Sequence, residues 1–191
     1  MSPGYAELHC ITNYSFLRGA SHPEELVARA AQLGYKALAV TDECSMAGAV
    51  KAHVAARAFD LKLIVGSEFF LDEDIHLVLL APDRVAYGQI CNLISVARRR
   101  ADKGEYRLSL RDLEFGLNRC LALWLPDSSR DHQLNTGRQL KTVFQDRLWI
   151  TLEIFPEGRE IDSYRQALTL AETLALPLVA GGDVHMHHPD R

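Results

Sequence analysis

What most constrains this chain is an alternation: short apolar runs rich in leucine and β-branched residues, most of them separated by stretches with helical spacing. The runs are Leu38 to Val40, Leu61 to Val65, Leu77 to Leu80, Leu121 to Leu125, Leu148 to Ile154 and Leu176 to Ala180. Ahead of the first, "SHPE" reads as a capping box at Ser21 with Pro23 in the first turn. Leu26, Val27, Ala30 and Leu33 then recur at helical intervals, and Gly34 is placed to end the helix. Weaker patterns of the same kind cover Gly48 to Phe59, Arg84 to Arg100, Asn135 to Phe144 and Ile161 to Leu174. Such an order requires an α/β domain of mostly parallel strands joined by crossover helices, either closed into a barrel or left as an open sheet. In both cases chemistry gathers at the carboxyl ends of the strands.

The residues at those ends are polar in a particular way. "YAELH" ends in His9, "ALAVTDE" in Asp42 and Glu43, "LIVGSE" in Glu68, and "LPLVAGGDVH" in Asp183 and His185. Imidazoles mixed with carboxylates are what a hard or borderline divalent metal requires. Aspartate also caps helices, and Asp42 suits that role before the segment starting at Ser45.

Composition narrows the function classes. A chain of 191 residues, 48% hydrophobic and 24% charged, suits one domain with a full core. The net charge of -4 argues against a general nucleic-acid binder, which needs clustered cations to neutralise phosphates. One basic cluster, Arg98-Arg99-Arg100 with Lys103, ends a helical segment, where it complements the helix dipole. Contact with a nucleic-acid backbone or another domain is the functional alternative. No aromatics interleave it, so single-strand stacking is not expected.

No apolar run reaches the ~20 residues of a membrane span, and "MSPGYAELH" lacks the regions of a signal peptide, so a cytoplasmic location is expected. Cys10, Cys44, Cys91 and Cys120 form no C-x-x-C pair and read as reduced, mostly buried thiols. His187 and His188 are expected to be exposed in a loop between Gly181-Gly182 and Pro189, while His22, His53 and His132 read as solvated or packed. Neither a phosphate-binding loop nor a G-x-S-x-G elbow is present.

Several ordered blocks carry a family likeness: "HCITNYSFLRGASHPEELVARAAQLGYKALAVTDECSMAGAV", "LIVGSEFFL", "HLVLLAPDRVAYGQICNLIS" and "AGGDVHMH". Together they resemble the amino-terminal PHP (polymerase and histidinol phosphatase) domain of bacterial DNA polymerase III alpha-type polymerases, nearest to the error-prone DnaE-like or ImuC branch. The likeness covers nearly the whole chain and is weakest from Ala101 to Phe144. It implies an irregular (β/α)7 barrel, here one domain over 1–191 excised from a longer polymerase chain. In active members His, Asp and Glu side chains hold up to three metal ions that hydrolyse phosphoesters, in some polymerases as a proofreading exonuclease.

Carried over residue by residue, that resemblance implies the metal ligands His9, Glu68, His76, Asp183 and His185, with Glu43 as a sixth candidate where the family has histidine. It also exposes departures. Ile11 stands at the second position of the H-x-H motif, Arg18 at a ligand position further on, and Pro126 where a Cys or His is usual, Cys120 being a core thiol. An alkyl group has no lone pair, and a guanidinium opposes a bound cation. The expectation is therefore one divalent metal, Zn or Mn, or none, no confident catalytic residue, and a mainly structural and interaction role. The alternative is a metal-dependent phosphoesterase or 3'-5' exonuclease. Implied partners are the other domains of the same polymerase, DNA through that polymerase, and mutasome-type accessory proteins, with no membrane. Asp183 is expected to bond backbone N–H groups or to pair with Arg18.

Overall fold

The computed structural model describes residues 4–126, 130–154 and 160–190. Seven strands form one sheet in chain order: β1 (Ala6–Glu7), β2 (Ala37–Val40), β3 (Lys62–Phe70), β4 (His76–Ala81), β5 (Leu121–Leu125), β6 (Leu148–Glu153) and β7 (Leu178–Gly181). Five helices accompany them: α1 (Pro23–Gln32), α2 (Ala49–Ala58), α3 (Arg84–Arg99), α4 (Arg130–Phe144) and α5 (Glu160–Leu174). Just past β1 and β7, Cys10 and Val184 form a parallel bridge. The Ile11 N–H donates to the Val184 carbonyl at 3.0 Å and the Val184 N–H to the His9 carbonyl at 3.0 Å. The sheet is thereby a nearly closed barrel, and of the two architectures the alternation allowed, this is the one adopted.

Period-2 alternation explains the runs that looked continuously apolar. In β2, Leu38 and Val40 pack under α1 and α2, whereas Ala39 points into the barrel. In β4, Leu77 and Leu79 face the outer helices while Val78 and Leu80 face inward. In β5, Ala122 and Trp124 face out, Leu123 and Leu125 in. A strand covered on both faces loses its polar half, so it reads as a solid hydrophobic run.

The mostly parallel sheet is interrupted where no helical pattern separates two runs: β3 and β4 form an antiparallel hairpin, and β4 is also antiparallel to β5. The turn Leu71 to Ile75 is short enough to reverse the chain, which a crossover helix cannot do. Helix α1 is capped one residue later than the sequence suggested: His22 is the N-cap, and its N–H donates to the Glu25 carboxylate at 2.8 Å. Ser21 is instead buried, and its hydroxyl accepts the His187 N–H at 2.9 Å and lies 2.7 Å from His187 Nδ1. His187, expected in solvent, is half-buried by that contact and ties the chain after β7 to the loop before α1. Gly34, with φ of 75°, ends α1 as expected.

The basic cluster is largely structural. Arg98 donates to the carbonyls of Glu43, Cys44 and Gly104 and lies over the Tyr106 ring, while Arg100 pairs with Asp112 at 2.6 Å. Arg99 and Lys103 remain exposed. Cys10, Cys44 and Cys120 are buried free thiols, and Cys91 is half-buried.

Candidate metal centre at the barrel mouth

Inward-facing rows of the barrel run out into polar side chains at one end. Along β3, Glu68 continues the parity of Ile64; along β6, Glu153 continues that of Trp149. His76 shares parity with Val78 and Leu80 but opens its strand. Because β4 is antiparallel, its first residue lies where the parallel strands end: His76 pairs in register with Phe70 and with Leu125. The hairpin thus brings His76 to the mouth that His9 and Glu68 occupy.

Glu68 sits at the centre, with none of its side chain exposed. His76 Nε2 is 2.5 Å and His9 Nε2 3.2 Å from its Oε1. Arg18 grips both oxygens, Nη1 donating to Oε2 at 2.5 Å and Nη2 to Oε1 at 3.2 Å. Arg18 Nη1 also donates to Glu43 Oε2 at 2.7 Å, and the Tyr106 hydroxyl donates to Glu43 Oε1 at 3.0 Å. Burial alone would raise the Glu68 pKa, but bonds from His76, His9 and Arg18 outweigh it and hold the carboxyl well below the usual carboxylate range.

His9 is equally buried. Its Nδ1 lies 2.7 Å from Glu153 Oε1 and 3.7 Å from Asp183 Oδ1. Burial opposes its charge, yet the hydrogen bonds to Glu153 and Glu68 prevail and push the imidazole up to about 10. His185 Nε2 is 2.8 Å from Asp183 Oδ1. The expected alternatives for Asp183 are thus replaced by a histidine contact, since Arg18 turns toward Glu43 and Glu68. Asp183 adopts a left-handed φ of 43°, a conformation aspartate tolerates better than most residues.

Among the described residues, His9, Glu68 and His76 form one group whose ligand atoms lie within 4.8 Å of one another. Glu43 joins through Arg18, while Asp183 and His185 form a pair beside His9. Ile11 is wholly buried at the bridge that closes the barrel, and Pro126 follows β5. Residues 127–129, at the end of "CLALWLPDSS", lie outside the described residues. Sequence reasoning missed Glu153 and Tyr106. Glu153 was legible by the rule that selected the others, since "LWITLE" also ends on a carboxylate; Tyr106 lies in the middle stretch without a pattern.

The loop that carries Arg18 is held by Asp42, which does not cap α2. Its buried carboxylate accepts from the Thr12 N–H at 2.8 Å, the Thr12 hydroxyl at 2.9 Å and the Ser15 hydroxyl at 2.8 Å. Burial pushes the Asp42 pKa up against these bonds. The turn closes through Gly19, whose N–H donates to the Ser15 carbonyl at 3.0 Å. A Cβ there would meet the Thr12 carbonyl oxygen at 1.9 Å, a backbone atom with nowhere to go. Gly19→Ala is therefore expected to destabilise the protein by about 1–3 kcal/mol, the usual range for overpacking. Thermal unfolding checks this; an unchanged midpoint would mean that the turn moves freely.

A barrel of seven strands with imidazole and carboxylate side chains at one mouth is the architecture of a PHP domain. The PHP domain family model matches residues 7–123, and the chain belongs to that family. Its sequence is 52% identical over 188 residues to an error-prone DNA polymerase of Methylococcus capsulatus, covering 98% of this chain and 18% of that protein. An error-prone DNA polymerase of Pseudomonas aeruginosa is 51% identical over 183 residues, covering 96% and 18%. The chain therefore spans about a fifth of the length of these relatives. Two solved structures share the fold. A Bifidobacterium adolescentis protein, whose name places it among metal-dependent phosphoesterases, superposes with a TM-score of 0.70 at 19% identity, covering 97% of this chain and 90% of that one. An amidohydrolase from Chromobacterium violaceum, solved with sulfate bound and no metal, gives 0.71 at 16% identity, covering 95% and 88%. Among the described residues no helix is long and apolar enough to cross a membrane.

Proposed function

We propose that this chain is the amino-terminal PHP domain of an error-prone, translesion-type DNA polymerase, a single domain over 1–191, and that its inherited metal cleft serves mainly to hold the barrel and its interaction surfaces together. The parent polymerase would add nucleotides through domains outside this sequence and meet DNA and mutasome-type partners through them, in the cytoplasm. High identity to error-prone polymerases, over about a fifth of their length, supports the first part.

One observation carries the second part: both oxygens of Glu68 are engaged by Arg18, and one of them also by His9 and His76. Hydrolysis across bridged metals needs carboxylate oxygens free for the ions and open positions for water and phosphate. Here a guanidinium fills the place between Glu68 and Glu43, and buried Ile11 offers no lone pair. The set His9, Glu68, His76, Asp183 and His185 with Glu43 does not fit a multinuclear centre while Arg18 is in it. The phosphoesterase reading draws on the compact His9, Glu68 and His76 group. Protein purified without added metal is expected to carry less than one equivalent of Zn or Mn and not to cleave a generic phosphodiester with Mn²⁺ or Zn²⁺. Stoichiometric metal, with turnover abolished by Glu68→Ala, would establish the hydrolase instead.

A further inference from the structure

We infer that the end of the barrel opposite the His9 cleft is a binding site for a small amphipathic carboxylate, its anion at Lys62, its apolar body inside the barrel and a polar atom at the inner end facing Thr151. Where β3, β5 and β6 begin and β4 ends, the strands enclose a cavity of about 420 Å³. Inward-facing residues wall it, among them Leu8, Ile64, Leu123, Trp149 and Val179. Side chains normally fill the interior of a barrel this small. Here Leu8, Ile64, Trp149 and Val179 stay only partly buried, so their apolar surface is open to a guest. A dry apolar cavity of about 150 Å³ already admits benzene, so this one has room for a longer body.

Two polar groups mark the ends of that space. Lys62 opens the inward row that Ile64, Gly66 and Glu68 continue; it lines the cavity and is exposed at its entrance. Among the described residues no carboxylate lines the cavity with it, so an anion is the complement it lacks. One ammonium without an arginine fork beside it suits a singly charged carboxylate better than a phosphate. At the inner end, Thr151 is 5% exposed, shares the inward face of β6 with Trp149 and pairs in register with Val179. Its hydroxyl has no hydrogen-bond partner among the described residues. A buried hydroxyl left unpaired is costly, and a ligand atom that bonds it recovers the loss. Glu68 and Glu153 both reach His9, so Gly66 lies level with Thr151. Lys62 is four residues back along β3, roughly 13 Å at a rise of ~3.3 Å per residue, the reach of a chain of about ten carbons.

Calorimetric titration of the chain with decanoate is expected to show one saturable site with a Kd of tens to hundreds of micromolar, ordinary for a ligand of that size. ω-Hydroxydecanoate, which carries a hydroxyl at its far end, should bind about three- to tenfold more tightly, and Thr151→Val should erase that advantage. Decyltrimethylammonium, the same chain with the opposite charge, should bind at least about fivefold more weakly than decanoate, and Lys62→Glu should invert the order. Val179→Phe, which fills the cavity, should abolish binding; if it does not fold, as judged by circular dichroism, Leu8→Phe carries the same test. Failure of the parent to bind decanoate saturably up to about 1 mM overturns the inference. So does equal affinity for the two charges, an ω-hydroxyl that brings no gain, or binding undisturbed by a folded cavity-filling variant.

Discussion

Replacing Glu68 by alanine is expected to lower the unfolding free energy by about 3–5 kcal/mol, the range for removing one partner from a buried ion pair. Three groups converge on this unexposed carboxylate, and each would lose its partner in a site with little solvent to replace it. Arg18, about a quarter exposed, can turn partly toward water, whereas His9 cannot. The loss should therefore reside mostly with His9 and its neighbours. Glu68→Gln keeps the volume and one acceptor, so its loss should be smaller. Urea denaturation followed by circular dichroism checks both. A loss under about 1 kcal/mol for the alanine variant would place Glu68 among ordinary surface pairs and remove the case for a structural cleft.

Raising the pH is expected to weaken the protein from near neutrality upward. In the folded protein the His9 pKa is pushed up to about 10, against an unfolded value near 6.5. Where the folded state binds more protons than the unfolded one, stability falls as pH rises. The His9 contribution is therefore complete below about pH 6.5 and is lost as pH passes through about 10, a total of at most about 5 kcal/mol. The buried thiols Cys10, Cys44 and Cys120, whose pKa values burial raises, act in the same direction but only above their unfolded value near 9, so the decline below about pH 9 belongs to His9. Glu68 acts at the other end: its depressed pKa contributes stability above its unfolded value near 4.3, lost as pH falls through the folded one. The urea midpoint measured from pH 6 to 10 should decline, and His9→Asn should flatten the decline. A level profile in the parent would show that His9 carries no proton tied to folding.

Both expectations concern residues whose identity was visible in the sequence and whose relation was not. The alternation of apolar runs implied an α/β domain, and the motif departures at Ile11 and Arg18 pointed to a cleft unlike that of active members. What could not be seen was the hairpin of β3 and β4, since two solidly apolar strands look alike whichever way they run. That reversal places His76 at the mouth although it opens its strand. Ser21 and His187 were misjudged for a related reason: the bond that buries them joins residues far apart in the chain, and no local pattern reports it.

By itself the sequence determined the class of fold, the family and the chemical types at the strand ends, because periodicity and residue chemistry act over a few positions. Tertiary structure alone decided that Arg18 lies between Glu43 and Glu68 rather than beside Asp183, that Glu153 orients His9, and that Asp42 clamps a turn instead of capping a helix. Those partnerships follow from barrel closure, which brings distant loops to one mouth and lets burial and charge choose among donors that the linear order leaves equivalent.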